Sequence, residues 1–436
     1  MGATPDWLKP AMQAINIDDE GRACKDIPEA ACRQEGGNVL RHVASLSLSK
    51  SADGLVDPKL VLSWLLTTLG APALFIGMLV PIREAGALLP QLFTAGFLRS
   101  IPQRKWVWSV GAACQGLSAI AIALSGLFLE GRAAGLAVLG ALAVLALARS
   151  VCSVCYKDVL GKTVDKSKRG QTTGLAGSLS AVVVIIYALL LSFGLLERMT
   201  LVISGLFLAG AAWLLGSLIF TGLKEEPGAT EGGKNAFNEA MKNVSLLGTE
   251  AQLRRFIIVR ALLTATALAP PFMVSAASQQ GQGAFEALGF LVLASASASL
   301  ISSYVWGWLS DRSSRKVLIF SGLVAAVALV ITLVLMEIDG LGNLFALPLI
   351  LFILMIAYQG VRLGRSTHLV DMADKETRAA FTALSNTVIG IILLFGGLFG
   401  VLAETLGLVW VLGLMAVMCV LAAFIGLGLD EVQENA

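Results

Sequence analysis

Apolar runs of about 20 residues recur along the chain, separated by short clusters of charged and turn-forming residues. A run of that length, rising 1.5 Å per residue as a helix, crosses the ~30 Å hydrocarbon layer of a bilayer. Read against the charges, the runs predict helices at 38–66, 72–98, 106–129, 133–156, 172–195 and 199–222, then at 255–279, 285–309, 315–337, 343–364, 379–402 and 406–429. The longest internal polar segment, 224–253, divides the chain almost in half and reads as a flexible linker followed by a short surface helix. The expected order is a tail (1–37), a six-helix bundle (38–223), the linker (224–253), a second bundle (254–429) and a tail (430–436). Ala, Leu and Gly dominate the runs without two-residue alternation, which argues against a β-barrel. The expected fold class is an all-α membrane protein with twelve transmembrane helices in two halves.

Composition agrees. Of 436 residues, 56% are hydrophobic and 14% charged, against roughly a quarter charged in soluble domains. The net charge of +2 says little, but the placement of Lys and Arg says more. Arg104 and Lys105, Lys157 to Arg169, the linker lysines, Arg312 to Lys316, and Arg362 to Arg378 all follow even-numbered spans. The opposite loops hold Arg132 and Arg198. Basic loops are retained in the cytoplasm, so both termini and the linker are expected there, in a plasma membrane or bacterial inner membrane. No cleaved signal peptide is expected from MGATPDWLKP. The six cysteines are scattered and indicate no disulfide framework.

The halves repeat each other. Gly96-x-Leu98 with Arg104-Lys105 aligns with Gly307-x-Leu309 with Arg315-Lys316. Asp165-Lys166-x-x-Arg169 aligns with Asp374-Lys375-x-x-Arg378, and Leu55-x-x-Pro58 with Leu268-x-x-Pro271, all at offsets of 209 to 213 residues. Duplicated six-helix halves with a midplane site between them are a known transporter plan.

The run Gly307-Trp-Leu-Ser-Asp311-Arg312-Ser-Ser-Arg315-Lys316 resembles the loop signature after the second and eighth helices of the major facilitator superfamily, with Ser314 in place of a later glycine. The first-half copy at Gly96, Arg104 and Lys105 is degenerate, with Ser100 for the acid and Gln103 for glycine. The resemblance implies a charge clasp that closes the cytoplasmic side and breaks as the halves rock, with the first-half copy contributing less. Retention of basic loops is the plainer role, and both can coexist.

The first span is the hardest to place, because residues 45–59 are rich in serine and charge. As a tail they would leave the second span only about 14 residues long, cut at Arg83-Glu84 and too short to cross. Pro58 aligns with Pro271, well inside the seventh helix. We therefore place 38–66 in the membrane. Each ionised group near midplane costs about 3 kcal/mol, so Lys50, Asp53, Asp57, Lys59, Arg83 and Glu84 are expected to line an aqueous cavity or pair. On one continuous helix Lys50, Asp53 and Asp57 share a face, with Lys50 offsetting Asp53 and Asp57 meeting a like charge. A carboxylate that changes protonation as the cavity switches sides would couple transport to protons. A permanent ion-pair lock between the first two helices is the alternative. The family's proton-linked members are similar in carrying an acid shortly before a proline in the first helix, which points to Asp53.

Arg149 resembles a family arginine of the fourth helix, though Cys152 and Ser153 replace the residues expected after it. It faces the cavity or snorkels. Arg260 is expected to snorkel. Cys152-Ser-Val-Cys155 has redox spacing but lies in a membrane helix, where small-residue packing is the ordinary role. The C-terminal half, with Gln279, Gln280 and Gln359 as its notable polar groups, is expected to present an apolar wall. The fifth helix lacks the Gly-Pro signature of drug/proton antiporters.

The expectation is a secondary transporter, not an enzyme, that moves a small and partly amphipathic solute by alternating access with protons as the coupling ion. It would be a monomer in the lipid bilayer, with no cofactor, metal or nucleic acid partner. A lipid flippase and a non-transporting assembly or sensor protein on the same fold remain as alternatives.

Overall fold

The structure, a computed structural model, describes residues 32–90, 101–193, 197–227, 246–280, 287–373 and 378–433. Each segment expected to span is helical over most of its described length. The first half contains α1 (Glu35–Leu55), α2 (Val61–Thr68), α3 (Ala73–Leu88), α4 (Lys105–Phe128), α5 (Gly131–Thr163), α6 (Lys166–Phe193) and α7 (Arg198–Thr221). A short α8 (Leu246–Thr249) follows the linker. The second half contains α9 (Ala251–Leu262), α10 (Ala265–Gln279), α11 (Leu288–Arg312), α12 (Ser314–Glu337), α13 (Ala346–Met372), α14 (Arg378–Phe395), α15 (Leu398–Thr405) and α16 (Leu408–Gly426). Among the described residues nine helices, two of them counted across short breaks, are long and apolar enough to cross a membrane. The first, second and eighth segments are not among them over their described residues: α1 carries ionisable side chains, the second segment is described only to residue 90, and α11 counts over Leu288–Ser302. Gly96 and most of the linker lie outside the described residues.

The first span is two helices rather than one. Pro58 lacks an N–H and cannot continue the ladder of α1. The Asp57 carboxylate instead accepts the backbone N–H groups of Lys59 (2.7 Å) and Leu60 (3.2 Å), turning the chain into α2. Asp57 therefore does not share the helix face of Lys50 and Asp53, because α1 has ended at Leu55. Discontinuous helices are tolerated at membrane depth where protein or a cavity surrounds the break.

The serine-rich stretch of α1 is packed within the first half, against α6 and α7. His42, Ser45, Ser51 and Ala52 are buried. Trp213, fully buried on α7, donates its indole N–H to Ser49 (3.1 Å), and Gly216 lets the backbone of Ser45 approach. On the outer surface the pattern inverts. Phe128, Phe424 and Trp410 are 77%, 73% and 70% exposed, an arrangement stable only where lipid covers them.

Because the helices alternate in direction, the chain returns to the linker end of the bundle after each even-numbered span. The described contacts between halves gather toward the opposite end. There α3 packs on α14 and α15, α6 on α11, and α10 on α2 and α3. Glycine makes the closest approach possible: a Cβ on Gly77 would stand 2.8 Å from the Cα of Gly400, and one on Gly400 would stand 2.8 Å from the Cα of Leu74. Leu74 donates its N–H to Glu404 at 2.9 Å across the same seam. At Gly289 a Cβ would meet the backbone of Ser192 at 2.3 Å, so α6 and α11 also touch through glycine.

Candidate functional site

Asp53 occupies the last turn of α1, with α3 and α5 beside it. Arg83 donates to its Oδ1 at 2.7 Å, and Arg149 pairs with Oδ2. Three helices of the first half are thus tied through one carboxylate. Such a pairing offsets desolvation that none of the three charges could bear alone. Arg149 faces inward and does not snorkel. Lys50 does not offset Asp53 by direct contact. Its ammonium donates to the carbonyl of Thr173 on α6 (3.2 Å) and stands in the combined field of Asp53 and Arg362. Lys50, Asp53 and Arg149 line a cavity of about 210 Å³ with Ser49, Gln115 and Tyr156.

Glu84 follows Arg83 in sequence and turns about 100° away from it around α3. Arg83 serves Asp53, whereas Glu84 lies in the field of Lys59 and of Arg365 and Arg362 from the second half. Lys59, 6% exposed, sits 3.3 Å from the ring centroid of Tyr358, so its charge rests on the aromatic face of the opposite half. Arg362 lies 6.0 Å from the same ring. Tyr358, Arg362 and Arg365 recur at i, i+4 and i+7 of α13, which puts them on one face.

The expected apolar wall is thereby corrected: the second half presents Tyr358, Arg362 and Arg365 toward the first. Arg260 departs from expectation as well. It is 5% exposed and donates to Ser385 (2.7 Å) and Asn386 (2.9 Å) on α14, within the field of Arg365 and Glu84. It cannot snorkel because α14 covers it. A tenth span ending at 364 leaves Arg365 in a loop, whereas the helix runs to Met372. The signal for the longer helix is present in the sequence: 365–372 contains neither Gly nor Pro to stop it. Gln280 is structural, bridging Met336 and Leu341.

The loop signatures sit at the linker end. Arg104 pairs with Asp158 (2.5 Å), and Lys162 bridges Asp158 (2.8 Å) and Glu225 (3.2 Å). Glu225, its side chain fully buried, also accepts the N–H groups of Arg104 (3.1 Å) and Lys105 (2.8 Å), and the Lys105 ammonium donates to Leu223 (2.7 Å). In the second half Arg315 pairs with Glu431 (3.4 Å) and donates to the carbonyl of Leu429 (3.1 Å). Arg312 stacks on Trp308 (3.8 Å), and the Lys316 N–H donates to the capping Ser313 (3.1 Å). Gly307 has open space where a Cβ would be. The side chain of Asp311 lies outside the described residues.

These described pairs join each loop to the end of its own half, and none of them crosses between halves. In the first-half copy Glu225 supplies a buried acceptor where the loop lacks its acid. The cysteines at 152 and 155 are free thiols, and Cys152 packs against Gly111 and Gln115. Cys32 is disulfide-bonded.

Residues 256–435 match the family model described as Major Facilitator Superfamily. No curated protein matches the sequence significantly. Among solved structures, the nucleoside transporter NupG superposes with a TM-score of 0.68 at 14% identity, covering 90% of this chain and 98% of that one. The xylose transporter XylE from E. coli, in an inward open conformation, gives 0.65 at 10% identity, covering 91% and 98%. A POT family transporter in complex with 5-aminolevulinic acid gives 0.67 at 11% identity, covering 89% and 95%. The second half thus matches the major facilitator superfamily model, and the chain over about nine-tenths of its length shares the fold of these solved transporters.

Proposed function

We propose that the protein is a secondary transporter that moves a small solute by rocker-switch alternating access, coupled to protons through Asp53. One observation carries this reading. The halves meet through Gly77, Gly400 and Gly289 at the end remote from the linker, while the charged groups of both halves face each other toward the linker end. Arg362 is solvent-exposed there, although it stands in the field of Lys50 and Glu84 from the other half. An exposed arginine between two packed bundles requires water between them. The arrangement is that of a carrier open on the linker side, which the distribution of basic loops assigns to the cytoplasm.

Asp53 suits the coupling role because one proton would discharge two ion pairs at once. Protonated, it would release Arg83 and Arg149 and change how α1, α3 and α5 are held together, which is a local charge event with a bistable readout. Asp57 does not suit that role, since its carboxylate is committed to the backbone of Lys59 and Leu60. The test is reconstitution into proteoliposomes with an imposed pH gradient and a panel of labelled small solutes. The parent protein should accumulate its solute above equilibrium, and Asp53→Asn should only equilibrate it. Accumulation by Asp53→Asn equal to the parent's would remove Asp53 from the coupling step. Equilibration by the parent, indifferent to the gradient, would leave facilitated diffusion.

A further inference from the structure

The carboxylates near the centre of the bundle do not balance the cations. Asp53 is shared by Arg83 and Arg149. Asp57 is occupied by two backbone N–H groups. Glu84 remains, within electrostatic reach of Lys59, Arg365, Arg83, Arg362 and Arg260. Of these cations, Arg260 is held by neutral hydrogen bonds and Lys59 by the face of Tyr358. Among the described residues Arg362 and Arg365 have no carboxylate within ion-pair distance. Two like charges held on one helix face repel each other, and an arriving anion relieves that repulsion.

We infer that the transported solute is an organic anion whose carboxylate or phosphate group is bound by Arg362 and Arg365 of α13, beside Tyr358. This rests on the transporter reading above and names the substrate class for the same cavity. Two guanidinium groups three residues apart on one helix face offer several N–H donors to one oxyanion, a geometry that lysine does not reproduce. Glu84 then acts in specificity: it partly neutralises the arginines in the empty carrier and disfavours solutes whose charge would overcrowd it. Tyr358 offers an aromatic edge to the body of the solute. Both halves would contact the anion, Lys59 from the first and the two arginines from the second, so its binding would draw them together on the linker side.

The experiment uses the purified full-length chain in detergent at constant ionic strength, with inorganic phosphate and succinate as anionic probes and xylose and uridine as neutral ones. Thermal midpoints are followed across each titration. The anions should raise the midpoint in a saturable manner and the neutral probes should not. Arg365→Gln and Arg362→Gln should each weaken the anion response at least tenfold, and Arg365→Lys, which keeps the charge and should fold normally, should weaken it severalfold. Arg132→Gln, exposed in the first turn of α5 at the far end, should match the parent. The inference fails if no anion stabilises the parent, if neutral probes stabilise it equally, or if Arg365→Lys and Arg362→Gln respond as the parent does. Counterflow in proteoliposomes separates the two readings. Anion binding without counterflow would sink transport and leave the anion site, whereas counterflow of a neutral solute alone would do the reverse.

Discussion

Arg83 reaches Asp53 across 2.7 Å, from a helix thirty residues further along the chain, and this pair joins the second span to the first. Arg149 holds the other oxygen of the same carboxylate. The charges that make the first span look unfit for a membrane are the ones that fasten it to its neighbours.

Removing that carboxylate should therefore cost stability as well as coupling. Asp53→Asn leaves Arg83, whose side chain is 12% exposed, without its anion, while Arg149 at 37% keeps more of its hydration. Breaking a buried pair from one side costs roughly 3 kcal/mol, and water around Arg149 reduces its share. A second change, Arg83→Gln, should recover more of the thermal midpoint of Asp53→Asn than Arg149→Gln does. Equal recovery would show that the two arginines are equivalent.

At Asp57 the expected behaviour is different. Asn keeps an acceptor oxygen for the Lys59 and Leu60 N–H groups, so Asp57→Asn should retain both folding and solute accumulation. Asp57→Ala leaves those donors bare and should destabilise by roughly 1–3 kcal/mol. Loss of accumulation in Asp57→Asn with folding intact would mean that this carboxylate titrates in the cycle.

The seam at Gly77 and Gly400 should set the conformational equilibrium. A valine at Gly77 places atoms where the Gly400 backbone stands, 2.8 Å from a Cβ. Gly77→Val should open the far end and depopulate the state open toward the linker. Labelling of a cysteine at Ser49, which lines the Asp53 cavity, by a reagent applied on the linker side should slow severalfold. Unchanged labelling would place the closing contact elsewhere.

Glu225 and Glu431 hold corresponding ends of the two halves, yet they should differ in weight. Glu225 is fully buried and accepts two backbone N–H groups as well as Lys162. Glu225→Ala should cost roughly 3 kcal/mol. Glu431→Ala loses a longer 3.4 Å contact to Arg315 and a hydrogen bond from Ser313, and should lower the midpoint less. The reverse order in thermal unfolding would show that the second-half loop is the stronger anchor.

Much of this molecule is legible in its residues taken in order. Apolar runs near 20 residues long and a repeat of motifs at one offset lead to a helical membrane protein in two halves, since bilayer thickness and backbone hydrogen bonding leave few other solutions. The crowding of ionisable groups around Asp53, and the need to keep them from lipid, follow from the same cost. Pairing does not follow. Lys50 is the nearest cation to Asp53 in sequence, but Arg83 and Arg149 take the carboxylate, because helices from distant parts of the chain converge there and local spacing cannot rank them. The ends of helices proved equally elusive: stopping the tenth span eight residues early leaves Arg365 in a loop.

Local chemistry thus determined which segments enter the membrane and which side chains need company there. Only the packed bundle decided who meets whom: that Arg83 and Arg149 share Asp53, and that Lys59 rests on the ring of Tyr358 from the other half. Hydrophobic length is a property of one segment, whereas an ion pair across a cavity belongs to two, and its partners are fixed by how the helices stack.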